Sequence, residues 1–132
     1  MANQKTLKTS VSIKGIGLHT GKQARLTLYP AGVNEGISFM RKDIPGSPEI
    51  RLGKADIIHF EKSRRMTCLG TGNARIHTVE HLLASLAGLG IDNARIEVEG
   101  EEIPGLDGSC LEFTNAIKKA GVIEQDASKK YL

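Results

Sequence analysis

The sequence of 132 residues has few aromatic side chains and a small net charge, and both limit the functions it can have. Three Phe, two Tyr and no Trp provide little surface on which single-stranded nucleic acid bases could stack. The 18 basic and 15 acidic residues leave a net charge of only +3. Because the basic residues are also interspersed with acidic ones, we predict that the chain does not bind nucleic acid.

Cysteine is also scarce, and long apolar runs are missing. Cys68 and Cys110 lack CxxC or metal-finger spacing, so we expect two reduced thiols. The first ten residues are polar, and no apolar run approaches the ~20 residues that a membrane-spanning helix needs. We therefore expect a cytoplasmic protein with no signal peptide and no transmembrane segment. A hydrophobic content of 39% is sufficient for one buried core.

The hydrophobic pattern predicts a series of strands followed by a helix, a strand and a helix. Two apolar stripes at helical spacing predict helices over 77–88 and 109–120, with Gly88 as the left-handed stop of the first and Ser109 and Glu112 as a capping box for the second. The tail 124–130 is polar. This order indicates a single α+β domain over 1–132, a two-layer sandwich with a mostly antiparallel sheet and both helices packed on one face. Strands are predicted over 4–13, 23–29, 37–41, 49–52, 55–60, 66–69, 74–76 and 93–99.

The start of the first predicted helix carries His77, Glu80 and His81, which spell H-x-x-E-H. Histidines four apart share one face of a helix, where they can bind zinc while the glutamate deprotonates a water molecule, as in inverted zinc proteases. The other interpretation is that Glu80 and His81 merely occupy a helix start, where acidic residues are common. A protease of this kind needs a third zinc ligand, for which the downstream candidates are Glu99, Glu101, Glu102, Glu112 and Glu124.

Several segments together resemble a known family. Residues 78–83 and 87–93 (Thr-Val-Glu-His-Leu-Leu and Ala-Gly-Leu-Gly-Ile-Asp-Asn) are similar to the signature of UDP-3-O-acyl-N-acetylglucosamine deacetylase, a bacterial zinc hydrolase of lipid A synthesis. The pieces occur in the family's order from residue 5 to about residue 130. The other matching pieces are 5–8, the glycine-rich 15–21, 102–104 and 106–109.

The resemblance implies roles for individual residues. His81 matches a zinc ligand, Glu80 matches the catalytic acid/base, and His19 matches a residue that positions the substrate; a solvent-facing loop histidine is the other interpretation of His19. His77 falls where the family does not require histidine, which argues against the protease hypothesis. Asp107 is expected to fix the turn before the second helix.

The resemblance covers only the first of the family's two similar domains. It implies that the second domain, in cis or in trans, supplies the other zinc ligands (a His and an Asp), a catalytic lysine and a catalytic histidine. We therefore expect this chain alone to be folded but inactive, to bind Zn²⁺ weakly, and to self-associate through the face that the second domain would cover. The alternative is a stand-alone binding or regulatory module of the same fold.

Overall fold

A computed structural model describes residues 2–17, 20–52, 56–60, 66–71, 74–105 and 111–129, with the backbone alone for 56–60, 66–68 and 71. This part of the chain contains two helices and ten strands. Ser109 of the predicted capping box and Cys110 lie outside it, as does the side chain of Cys68, whereas Glu112 lies in the first turn of the second helix. In chain order the elements are β1 (Asn3–Leu7), β2 (Val11–Ile16), β3 (Gln23–Pro30), β4 (Ile37–Arg41), β5 (Glu49–Arg51), β6 (Asp56–Phe60), β7 (Met66–Thr71), β8 (Ala74–His77), α1 (Glu80–Gly88), β9 (Ala94–Glu99), α2 (Leu111–Ala120) and β10 (Val122–Ser128).

The largest sheet has five strands in the order β2-β3-β9-β4-β5, and a smaller sheet is formed by β6-β7-β8. All pairings in both sheets are antiparallel except that of β4 with β9, which is parallel. Alternate residues of the central strands are apolar and face one another across the register, so one face of the sheet is fully buried. These side chains are Leu26, Leu28, Phe39, Ile50, Ile96 and Val98.

The two helices pack against each other, and α2 also contacts β2. Leu82 and Leu86 of α1, and Phe113 and Ile117 of α2, belong to the same core cluster as the inner face of the sheet. The predicted α+β sandwich is therefore confirmed. Neither described helix is long and apolar enough to cross a membrane.

The apolar stripe that helical spacing predicts for α1 (Val79, Leu82, Leu83, Leu86 and Ala87) differs from the buried face at two positions. Ala87 is exposed, whereas Ser85 is buried at the contact with α2. The Ser85 hydroxyl donates to the carbonyl oxygen of His81 over 2.9 Å and accepts a hydrogen bond of 3.2 Å from Thr114 Oγ1. Both its polar functions are satisfied, so a serine is tolerated in the interface.

Helix α1 ends at Gly88, as the sequence predicts, but Gly88 is not the left-handed residue that stops it. Gly88 is still helical, and the left-handed residue is Gly90, with φ of +72°. The N–H of Ile91 bonds to the Leu86 carbonyl oxygen and that of Gly90 to the Ala87 carbonyl oxygen, at 2.9 and 3.0 Å. This pair of bonds is a Schellman motif, in which the residue after the glycine packs back on the last turn.

The single strand predicted over 4–13 is also wrong, because the chain breaks into β1 and β2 at residues 8–10. There the Lys8 N–H donates to the Gly121 carbonyl oxygen over 2.8 Å, and Thr9 Oγ1 donates to the Ala120 carbonyl oxygen over 3.0 Å. These bonds to the end of α2 redirect the chain. As a result β1 pairs with β10 and β2 pairs with β3.

Strand β10 was not predicted, since the polar residues 124–126 interrupt any alternating apolar pattern. It pairs antiparallel with β1 and is held by a network of side-chain amides around Asn93, which is 1% exposed. Asn93 Nδ2 donates to Gln125 Oε1 at 2.7 Å and to Gln4 Oε1 at 2.9 Å, and its Oδ1 accepts from the Gly36 N–H at 2.8 Å. Buried hydrogen bonds thus replace the missing apolar stripe.

Asp92, the neighbour of Asn93, anchors both β1 and the residue that follows β10. Its Oδ2 accepts from the Lys5 N–H at 2.8 Å and from Lys129 Nζ at 2.5 Å. Lys129 Nζ also donates to the carbonyl oxygen of Gly90 over 2.9 Å. Residues 87–93, the second part of the signature, therefore end α1 and hold β1 and β10 in place, which is a structural role.

Candidate active site

Helix α1 begins after an unusual backbone turn. Strand β8 ends at His77, Thr78 has φ of +62°, and the N-cap residue Val79 has φ of −86° and ψ of −7° with no side-chain capping bond. A positive φ is costly for a β-branched residue such as threonine. This turn sets the direction in which α1 leaves the strand, and Glu80 is the first helical residue.

The turn is held by the segment after β9. The His77 N–H donates to the Glu101 carbonyl oxygen at 2.7 Å, and the Ile103 N–H donates to the His77 carbonyl oxygen at 3.1 Å. Between these two bonds, Thr78 Oγ1 donates to Glu102 Oε2 over 2.5 Å. Glu102 is 2% exposed and Thr78 is 4% exposed, so water does not compete for this bond.

The same Glu102 carboxylate also reaches the glycine-rich segment 15–21. Its Oε1 accepts the Thr20 N–H at 2.8 Å. Gly17 lies against it so closely that an added Cβ would be 3.0 Å from Glu102 Cδ and closer still to Oε1. Glycine is therefore required at position 17 for close approach, and Glu102 connects the glycine-rich segment to the start of α1.

Further backbone bonds close the glycine-rich segment and join it to the segment after β9. The Gly17 N–H donates to the Lys22 carbonyl oxygen at 2.8 Å, and the Gly21 N–H donates to the Gly17 carbonyl oxygen at 3.0 Å. The Gly105 N–H donates to the Ile16 carbonyl oxygen at 2.8 Å. The two ends of the glycine-rich segment are thus fixed next to the residues that hold Thr78.

Of the predicted site residues, the structure describes Glu80 and His81. Glu80 and His81 are adjacent in the first turn of α1, and both are half-buried. His19 and Asp107 lie outside the described residues.

The H-x-x-E-H interpretation is contradicted by the position of His77. That residue ends β8, where it pairs with Cys68, and is not part of a helix. The left-handed turn at Thr78 separates it from α1, so His77 and His81 do not share a helical face. Among the candidate third ligands, only Glu102 is buried, and its carboxylate accepts hydrogen bonds from Thr20 and Thr78.

Histidine and carboxylate donors are the types that zinc binds, and His81 in the first turn of α1 fits that chemistry. Within the described ranges, however, no group of three or more His, Cys, Asp or Glu side chains is placed to hold a metal ion. His81 is thus a candidate zinc ligand.

An ion pair borders the same region. Arg41, which is 7% exposed, forms a bidentate pair with Asp43 at 2.9 and 2.7 Å and donates to the Arg75 carbonyl oxygen at 2.6 Å. The hydrogen bonds from Arg41 lower the pKa of Asp43 below its ordinary value of 3.8, against the opposing effect of partial burial. Both side chains line a polar cavity of about 240 Å³ that also contacts Thr20 and Glu102.

Sequence reasoning missed Arg41 and the structural roles of Thr78 and Glu102, of which Glu102 was named only as a candidate metal ligand. Glu102 belongs to one of the segments that carry the family resemblance, and it is the acidic residue directly before Ile103-Pro104. An acidic side chain at the boundary of a buried apolar segment is a usable signal, because a buried carboxylate requires partners. Nothing in the local sequence indicates which partners these are.

The fold defines an α+β sandwich protein with Glu80 and His81 side by side at the start of α1, and comparison with known proteins assigns the family. The family model described as LpxC, UDP-3-O-acyl N-acetylglycosamine deacetylase, matches residues 4–132. The chain belongs to this family.

Named relatives match over the whole chain. It is 47% identical over 132 residues to the UDP-3-O-acyl-N-acetylglucosamine deacetylases of Acidithiobacillus ferrooxidans and Cellvibrio japonicus, covering 42% and 43% of their lengths. It is 48% identical to the bifunctional enzyme LpxC/FabZ of Chlorobaculum tepidum, covering 28% of that protein. The chain therefore spans less than half the length of these curated relatives.

Proposed function

We propose that this chain is the N-terminal domain of a zinc-dependent UDP-3-O-acyl-N-acetylglucosamine deacetylase of lipid A synthesis. In this proposal it supplies the general base and one zinc ligand, and a second domain completes the site. The observation that carries the proposal is the Glu80–His81 pair at the start of α1, in a chain of this family. The names of the relatives support the substrate class.

The chemistry assigned to the chain is hydrolysis of the N-acetyl amide. Zn²⁺, when bound, lowers the pKa of a water molecule toward ~7 and polarises the acyl carbonyl group. Glu80 takes a proton from the attacking water as its oxygen bonds to the acyl carbon. The carbon–nitrogen bond then breaks, and Glu80, or a group of the second domain, protonates the leaving amine, so that acetate and the free amino sugar are released. His81 holds the metal through an imidazole nitrogen, and His19 positions the substrate.

The incomplete ligand set leads us to expect that the chain needs its partner domain. A catalytic zinc ion has about three protein ligands and a water molecule, and this chain contributes His81. The second domain, in cis or in trans, supplies the rest. Alone, the chain is expected to be folded, inactive and only weakly bound to Zn²⁺.

The interface with the second domain is expected near the site. Ile16, beside Gly17, and Leu111, at the start of α2, are each 58% exposed although they are large and apolar. Exposed apolar surface of this kind favours association. We infer that the isolated chain self-associates through this face, and that the complete enzyme works in the cytoplasm on its nucleotide-linked substrate.

The test of this proposal is to supply a second domain from a relative. Residues 1–132 are joined to the portion of the Acidithiobacillus ferrooxidans relative outside the matched segment, giving a joined enzyme. We expect zinc-dependent acetate release from UDP-3-O-acyl-N-acetylglucosamine by the joined enzyme and none by the 132-residue chain alone. His19→Ala is expected to slow turnover while zinc content is kept. A folded, zinc-loaded joined enzyme without activity would contradict the proposed function.

A further inference from the structure

We propose that Glu102 is a positioning residue for Glu80: its buried carboxylate locks the left-handed turn at Thr78 that orients the first turn of α1. The role in catalysis rests on the proposed function, because it assumes that Glu80 is the general base. Glu102 itself is not assigned a contact with substrate or metal.

The first support is the conformation that Glu102 holds. Thr78 adopts φ of +62°, which a β-branched residue rarely adopts without external restraint. The restraint is its hydrogen bond of 2.5 Å to Glu102 Oε2, flanked by the two backbone bonds of His77. Thr78 is only two residues before Glu80, so a change in this turn is transmitted directly to the position of the Glu80 carboxylate.

The second support is that Glu102 binds two separate segments at once. One carboxylate oxygen accepts the Thr20 N–H and the other accepts the Thr78 hydroxyl group. Glu102 is 2% exposed, and Gly17 packs against it without room for a side chain. A buried carboxylate with this arrangement fixes the glycine-rich segment relative to α1, since leaving it without partners is costly.

The contacts also suggest a matched set of variants. In E102Q the side-chain oxygen can accept from Thr20 while the amide nitrogen donates to Thr78 Oγ1, because a hydroxyl group both donates and accepts. Both contacts then keep a hydrogen bond, that to Thr78 with its direction reversed, and the charge is lost. E102A removes both bonds. Glu101→Ala is the control, because the Glu101 side chain is exposed and only its backbone carbonyl oxygen bonds to His77.

The activity measurement uses the joined enzyme. Displacement of a catalytic group by about 1 Å costs on the order of 100-fold in rate, so we expect E102A to lower kcat by about 10- to 100-fold with a much smaller change in KM. E102Q and E101A should stay within a few-fold of the unchanged enzyme. In an E80Q background, E102A should add little further loss, because residues that act as a unit are not additive. A merely structural role predicts the same loss in both backgrounds.

The structural measurement needs no activity, so it separates this proposal from the proposed function. Amide hydrogen exchange is followed residue by residue in the 132-residue chain and in its E102A, E102Q and E101A variants. We expect the Thr20 amide, which bonds to Glu102, and the Leu83 amide, which bonds to the Val79 carbonyl oxygen in the first turn of α1, to lose at least about 10-fold in protection in E102A alone. If the joined enzyme is inactive, this measurement still decides whether Glu102 holds the turn.

Three results would overturn the proposal. Unchanged protection at both segments in E102A would show that Glu102 does not hold them. An equal loss of activity in the E80Q background would show that it does not act through Glu80. Inactivity of E102Q with normal protection would show that the charge of Glu102, and not its two hydrogen bonds, is what the enzyme needs.

Discussion

The amide network around Asn93 predicts a large loss of stability from a single substitution. Asn93→Ala removes three side-chain hydrogen bonds, to Gln4, Gln125 and Gly36. A hydrogen bond contributes about 1 kcal/mol net, and a buried group left without a partner costs about 1–3 kcal/mol more. Gly36 and Gln125 are half-buried and can recruit water, so we expect a total loss of about 3–4 kcal/mol.

Urea unfolding of the 132-residue chain measures this loss. With a slope of about 2 kcal/mol per molar urea, the midpoint should fall by about 1.5–2 M. Asn115→Ala is the matched control, because Asn115 is exposed on α2 and its substitution should change stability by less than about 0.5 kcal/mol. Asn93→Asp should also be destabilising at neutral pH, since a carboxylate oxygen would then face Gln4 Oε1 and Gln125 Oε1. Equal midpoints for the two alanine variants would refute the reasoning.

Two further predictions concern the end of α1 and the ion pair of Arg41. Gly90→Ala should lower the free energy of unfolding by about 1 kcal/mol, because φ is +72° there. Gly88→Ala lies at a helical position with open space around it and should raise the free energy of unfolding by about 0.5–1 kcal/mol. Thermal melts distinguish the two variants, and the reverse order of stability would mean that Gly88 is the left-handed residue. Because the folded-state pKa of Asp43 lies below 3.8, its contribution to stability is present above that pH and is lost as the pH falls through the folded-state pKa. Asp43→Asn should therefore show a flatter loss of stability on acidification, measured by urea unfolding at pH 5, 4 and 3; an equal or steeper slope would contradict the assignment.

The sequence predicts the elements that have a regular apolar pattern and a local stop signal. The central strands alternate cleanly, so β3, β4 and β9 are predicted to within one or two residues. Errors occur where distant contacts decide the local structure. The break between β1 and β2 depends on bonds to the end of α2, more than a hundred residues away. Strand β10 depends on amide partners that no periodicity reveals.

In the candidate site, too, the local sequence pattern was informative, and the distant contacts could not be predicted. Glu80 and His81 could be put forward as candidates because they occur in a recognisable motif and the helix behind them has an apolar stripe. The helix was nonetheless predicted three residues too early, since no propensity rule anticipates a positive φ at Thr78. That conformation becomes understandable only through Glu102, which is 24 residues away in sequence. The turn that Glu102 holds separates His77 from α1, and this separation removes the basis for the protease hypothesis.

The most direct test of the account is to separate metal binding from base catalysis in the joined enzyme. Glu80→Gln keeps the shape of the side chain and removes the base, so zinc content should be unchanged while acetate release falls by about 100- to 10,000-fold. His81→Ala removes a ligand, so both zinc content and activity should fall. If acetate release with Gln at position 80 equals that of the unchanged enzyme, Glu80 is not the base, and the central claim is wrong.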